Sequence, residues 1–172
     1  VWTETYADGQ TGYEILAERT VEQLKYIHAV YDLAKEKGYI QDATFTGMKH
    51  RMEQENMQRS EKVARGEAVY GLKEYTLDLY QEYELSMIEE AYILDETNEG
   101  MGLTEEEIEA YYNTRDWIVG EDARKADLSE ARAAVIDEMR RNRYQELTEQ
   151  KAAVAEVDGD MDQLSQFTLK QL

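Results

Sequence analysis

The sequence predicts an all-α, multi-helix protein, and three observations carry that prediction. Proline is absent from the 172 residues, where average usage near 5% would give roughly eight. A proline inside a helix removes a hydrogen bond and clashes with the preceding turn, so its absence fits long uninterrupted helices. Apolar residues recur three and four apart over several stretches, which is the period of one helix face. Finally, Thr104 followed by Glu107 forms a capping box, flanked by Leu103 and Ile108 at hydrophobic-staple spacing.

The elements follow in order. A polar segment occupies residues 1–12, and a first helix is expected over about 13–37. Its stripe is Leu24, Ile27, Tyr31 and Ala34, broadened by Ile15, Leu16 and Val21. Lys35 and Lys37 suit its C-terminal end, and Gly38 stops it. A second helix starts near Asp42 or Thr44, carries Phe45, Met48 and Met52, then turns polar as far as Gly66. That polar half projects into solvent or packs through Arg59 and Val63 alone. Residues 66–72 read as an ordered connection, with Val69 and Tyr70 pinning it to the core between two glycines. The third helix, about 73–94, is apolar on two sides: Leu79, Tyr80, Tyr83, Met87, Ala91 and Leu94 on one, Leu77, Ile88 and Tyr92 on the other. Such a helix is expected to be central.

A loop over 95–102 leads to the capped helix from Glu105, whose three leading glutamates complement the helix dipole. It is expected to carry Ile108, Tyr111, Tyr112 and Trp117 and to end before Gly120. Ser129 is placed to cap a last long helix over 130–157, with Val135, Ile136, Met139, Leu147 and Val154 inward, ended by Asp158, Gly159 and Asp160. The apolar spacing of the tail, 158–172, does not decide between helix and strand. The domain reading is therefore one helical domain, 13–157, between a polar start and a tail.

Charge narrows the function. With 38 acidic against 19 basic residues the net charge is −19, which repels phosphate backbones and anionic lipid, so nucleic-acid binding is not expected. Solubility alone explains such a charge; a role in attracting basic polypeptides is the functional reading. There is no cysteine, hence no disulfide, thiolate metal site or cysteine nucleophile. No run of about 18 apolar residues is present, so direct membrane insertion is not expected. Residues 1–12 lack a signal peptide's basic start and apolar centre, which suits a mature or trimmed chain.

Chemistry finds little support. His28 and His50 are the two histidines, neither in an H-E-x-x-H motif, and Lys25 and Gly47 stand where a helical E-x-x-H ligand pair needs glutamate. Asp158, Asp160 and Asp162 open like a calcium loop, but Gln163 and Leu169 replace its required glycine and glutamate. Glu105, Glu106 and Glu107 point in different directions on a helix and are explained by capping. Gly100–Met101–Gly102 lacks the third glycine and preceding strand of a dinucleotide loop, and Ser60, Ser86 and Ser129 have no neighbouring base. No catalytic residue, metal or cofactor is expected. Tyr80, Tyr83, Met87, Tyr111 and Tyr112 recur at helical spacing, and Met48 and Met52 share the second helix. Core packing explains these seven, and the functional reading is that they line an open groove for peptides, since Tyr joins apolar area to a polar tip and Met adapts its shape.

Several patches, in one order, resemble the N-terminal chaperone-like domain of SurA/PrsA-type extracytoplasmic foldases, especially the Gram-positive versions. They are Val21–Glu22–Gln23–Leu24 through Ala34 and Gly38; Glu55–Asn56 with Arg59; Val69–Tyr70–Gly71 with Tyr75, Tyr80 and Tyr83; Leu103 through Ile108 with Tyr111–Tyr112; and Arg143–Tyr144–Gln145–Glu146–Leu147. The resemblance implies a SurA-N-like domain with long packed helices and a returning C-terminal helix. It also implies placement outside the cytoplasm, in the envelope or secreted, lipid anchoring being one route. A parvulin-type prolyl isomerase domain cannot fit in the roughly ten residues 119–128, so the resemblance implies holding without isomerase catalysis. The expected function is transient binding of unfolded or secreted polypeptides, basic ones favoured. The alternative is a helical scaffold for one specific protein partner or for itself, as a homodimer.

Overall fold

Capping side chains at several starts and glycine closures at two ends set where helices of this protein begin and stop. The structure, a computed structural model, describes residues 2–6, 9–120, 123–156 and 160–171. It is all-α: α1 (Gly12–Glu36), α2 (Phe45–Ala64), α3 (Leu77–Leu94), α4 (Glu105–Tyr112), α5 (Leu128–Val154) and α6 (Met161–Gln171), with one short hairpin of β1 (Ile118–Val119) and β2 (Arg124–Lys125) between α4 and α5.

α1 opens where the Glu14 carboxylate accepts the Thr11 amide at 2.8 Å. It closes at Gly38, whose φ of +77° lets Tyr39 N–H reach back to the Ala34 carbonyl at 2.8 Å, a Schellman closure. Gly66, at φ +75°, ends α2 the same way, with Glu67 N–H on the Lys62 carbonyl at 2.9 Å. α2 begins with Thr44 Oγ1 accepting the Gly47 amide at 3.1 Å. α4 begins at the predicted capping box, with Thr104 N–H on Glu107 at 2.8 Å and Glu107 N–H on Thr104 Oγ1 at 3.2 Å.

Other expectations need correction. α3 starts at Leu77 rather than 73, because the main chain of Tyr75 is already spent on the Asn56 side chain. α4 stops at Tyr112, and Trp117 turns back so that its indole Nε1–H donates to the Tyr112 carbonyl at 3.2 Å. β1 and β2 then pair antiparallel, Ile118 opposite Lys125 and Val119 opposite Arg124. Asp127, not Ser129, caps α5: its Oδ1 accepts the Glu130 amide at 3.0 Å, and the Ser129 hydroxyl donates to that same oxygen at 2.6 Å. α5 ends at Val154, which is 80% exposed rather than inward. Val157, Asp158 and Gly159, read as that helix's end, lie outside the described residues, and the Asp160 carboxylate instead accepts the first amides of α6.

Two cores result. One is built on α4, the hairpin and α5, around Ile108, Trp117, Ala131, Val135 and Met139. The other joins α1, α2 and α3 around Val30, Tyr31, Ala34, Met48 and Ile88 and continues through Leu33, Tyr92, Met101 and Tyr144 to α5. α5 therefore meets α1, α3 and α4, while α2 packs on α3 and α6 on α1. The buried stripe of α3 is Tyr80, Glu84, Ile88 and Tyr92. Leu79, Tyr83, Met87 and Leu94, expected inward, are exposed, and on α1 Leu24 is exposed while Ala17, Ala29, Val30 and Leu33 are buried.

Candidate functional site

The outer face of α3 and the facing side of α2 enclose a surface cleft of about 410 Å³. Its floor is polar and fixed. Arg51 forks onto Glu84, Nε to Oε1 at 2.6 Å and Nη2 to Oε2 at 2.9 Å, while Nη1 donates to the Asp42 carbonyl at 2.6 Å. Glu84 is 7% exposed, so this is an ion pair held largely out of water, and a bidentate guanidinium is the partner that such a carboxylate needs. The Tyr80 hydroxyl donates to Glu84 at 3.2 Å, and the Tyr31 ring lies under the Arg51 guanidinium, 5.8 Å away. Burial, reinforced by the Glu84 charge, pushes both phenols well above their ordinary range, so they stay protonated. The Arg51 guanidinium is held even more firmly charged, first by its bond to Glu84.

The cleft wall is apolar: Tyr39 and Ile40 from the α1–α2 connection, and Tyr80, Tyr83 and Met87 from α3. Tyr83 stacks on Tyr75 with ring centroids 5.1 Å apart, and Tyr80 meets Tyr75 edge-on at 5.7 Å. Tyr75 belongs to the segment joining α2 to α3, and α2 holds that segment. Asn56 pairs with both main-chain groups of Tyr75, donating to its carbonyl at 3.0 Å and accepting its amide at 2.7 Å. Arg59 donates to the carbonyls of Tyr70 at 3.1 Å and Leu72 at 2.7 Å, is braced by Glu55 at 2.8 Å, and lies over the Tyr75 ring at 4.7 Å. The polar second half of α2 thus works on its own connection. Tyr70, expected to pin that connection to the core, is instead 88% exposed: the carbonyls do the pinning.

Of the seven residues read as groove candidates, Tyr80, Tyr83 and Met87 meet in this cleft. Met48 lies behind it, 1% exposed in the α1–α3 core, with Met52 packed alongside. Tyr111 and Tyr112 belong to the other core and are committed internally. Tyr111 donates to Glu138 at 2.8 Å and accepts from Asn142 at 2.8 Å; Tyr112 donates to the Ala126 carbonyl at 2.8 Å. The sequence reading missed Tyr39, Ile40, Arg51 and Glu84. Arg51 and Glu84 are 33 residues apart, beyond any local signal, although Tyr80, Glu84, Ile88 and Tyr92 do repeat every four residues. Among the described residues no group of three or more His, Cys, Asp or Glu is placed to hold a metal ion, and no helix is long and apolar enough to cross a membrane.

No protein-family model matches the sequence. The chain is similar to a chaperone for lacto-N-biosidase from Bifidobacterium longum subsp. longum, 35% identical over 172 residues. The match takes in 99% of this chain and 61% of that relative's length. The fold is similar to part of a GH136 lacto-N-biosidase from Eubacterium ramulus, seen in a crystal structure. There the TM-score is 0.63 at 18% identity, over 85% of this chain and 29% of that one. The SurA/PrsA resemblance does not hold. The similarity that runs the length of the chain is to a lacto-N-biosidase chaperone, and the solved fold it matches lies in a lacto-N-biosidase. The motifs that suggested a foldase are devices of helical connections: a glycine closure at Gly38, a carbonyl clamp at Asn56 and Arg59, a capping box at Thr104. The expected placement outside the cytoplasm rested on that resemblance alone.

Proposed function

We propose that this chain is a dedicated, non-catalytic chaperone whose client is a glycosidase of the lacto-N-biosidase kind. The observation that carries the reading is the 35% identity, over 99% of the chain, to a chaperone for lacto-N-biosidase. It favours the alternative of one specific protein partner over a general holder of unfolded or secreted chains. The cleft adds support. A groove for unrelated peptides works by adaptable apolar surface, whereas here the floor is a fixed Arg51–Glu84 fork and, among the described residues, Met87 is the one methionine lining the cleft. Such fixed polar groups reward one shape and penalise others. The presence of the same fold within a glycosidase chain is consistent with a helical unit that works beside a catalytic one.

The test is co-production of the Bifidobacterium longum lacto-N-biosidase with this chain, with its Bifidobacterium relative as positive control. The expected result is a gain of tenfold or more in soluble, active glycosidase, and no protection of two unrelated denatured proteins, one basic and one acidic. Suppression of aggregation of both unrelated proteins, with no gain for the glycosidase beyond theirs, would overturn the reading.

A further inference from the structure

The α2–α3 connection combines two properties that a merely structural loop does not need. Its main chain is held by side chains: Asn56 and Arg59 bond the backbone of Tyr70, Leu72 and Tyr75. Its large apolar side chains are nonetheless left in water. Tyr70 is 88% exposed, and Leu72, Met57 and Val63 are exposed beside it. A hollow of about 430 Å³ lies between α2 and this loop, lined by Asn56, Met57, Ser60, Val63, Lys73 and Glu74. An aromatic anchor next to a hollow, both on a backbone that is already ordered, is the arrangement that lowers the entropic cost of binding a protein.

The charge of this arm sets it apart from the rest. Residues 45–73 carry six basic and four acidic side chains, a net +2, while the whole chain carries −19. Elsewhere the surface repels an acidic protein; here it does not. Arg51, Arg59 and Arg65 are engaged with Glu84, Glu55 and Glu67. Lys62 and Lys73 take part in none of the ion pairs among the described residues, and Lys73 rims the hollow.

We propose that the tip of the α2–α3 arm, with Tyr70, Leu72, Val63 and Met57 as anchors and Lys62 and Lys73 at the rim, docks the client glycosidase on an apolar surface edged with carboxylates. This rests on the function proposed above and says where the client is met. The experiment uses the same co-production assay with three variants of the full chain. Tyr70→Ser with Val63→Ser removes two anchors, Lys62→Glu with Lys73→Glu reverses the rim, and Leu94→Ser removes an exposed side chain at the far end of α3 as the control. The first two are expected to lower the yield of active lacto-N-biosidase tenfold or more, with unchanged far-UV circular dichroism and Tm. The rim variant's defect should shrink as salt is raised, and Leu94→Ser should behave as wild type.

If wild type rescues the glycosidase and both arm variants rescue it equally well, the docking assignment fails while the chaperone reading stands. If wild type gives no rescue where the Bifidobacterium relative does, the chaperone reading fails and the assignment falls with it. If wild type alone sediments as a dimer and Tyr70→Ser/Val63→Ser as a monomer, the arm meets a second copy, which also overturns the assignment.

Discussion

Asn56 shows how one side chain can decide the conformation of a distant segment. Its amide replaces both hydrogen bonds that Tyr75 would otherwise make, so Asn56→Ala should free the connection without melting α2. A net hydrogen bond contributes about 1 kcal/mol, and the expected outcome is roughly five- to tenfold faster hydrogen exchange at the Tyr75 amide, read by NMR against unchanged amides in α5. Glu84 is the opposite case, a buried carboxylate whose loss is felt globally. Glu84→Leu leaves the Arg51 guanidinium without its partner, and breaking such a pair costs about 3–5 kcal/mol when it is fully buried. Arg51 retains some solvent contact, so a loss at or somewhat below the lower end of that range is expected by urea denaturation. Arg51→Met with Glu84→Leu should recover most of it; a double variant no better than the single would show that the fork is not the cause. Neither role was legible in the sequence. Asn56 and Arg59 were visible as a motif, but which main-chain groups they bind depends on a chain reversal at Gly66 whose path no local rule specifies. Tyr83 and Met87 read as core, with a groove lining as the alternative, because helical spacing says where a residue sits on its helix, though not which face is covered.

Three helix boundaries were readable because their closure is local, while the equally local Asp127 cap of α5 was assigned to Ser129. The capping box at Thr104 and the glycine closures at Gly38 and Gly66 lie within six residues of chain, so their chemistry is complete in the sequence. Thr104→Ala is expected to cost about 1 kcal/mol, the usual penalty for a lost N-cap, measured as a lower midpoint in urea with an unchanged slope. The hairpin and α6 were not readable. β1 and β2 are two residues each, too short for an alternating pattern, and they exist because Trp117 folds back on α4 and its carbonyl accepts the Ala126 amide at 2.7 Å. Met161, Leu164 and Phe167 of α6 span only about two turns, too short a stripe to decide its form, and the helix packs on α1. α3 was misread in its facing for a tertiary reason: a buried glutamate in the stripe looks polar until its arginine is placed.

For the molecule as a whole, pH should act in two opposite ways. Carboxylates at helix starts are held below their ordinary range by the groups that bond them: Glu14 by the Thr11 hydroxyl, Glu107 by the Thr104 amide and Arg143, Asp127 by the Ser129 hydroxyl. Glu130, bonded by Arg124 and the Asp127 amide, is lowered to about 2. Their folded values lie below the unfolded ones, so their stabilisation is complete above the ordinary carboxylate value near 4.5 and is lost as pH falls through the folded values toward 2. Against this, the net charge of −19 repels itself at neutral pH and relaxes toward the isoelectric point near 4.4. Tm should therefore rise from pH 8 to about pH 5 and fall below about pH 4, and 150 mM salt should raise it at pH 8 by screening. A Tm higher at pH 3 than at pH 5 would contradict this account. The 27 residues of α5 span ~40 Å at the helical rise, and the same rod is a wall of both cores, through Val135 and Met139 on one side and Tyr144 on the other. A continuous rod leaves no hinge within α5 between these two cores. The two cores are thereby set at a fixed separation along one rod, and for a client of the kind proposed the distance between spin labels on α4 and α1 is expected to be the same before and after binding.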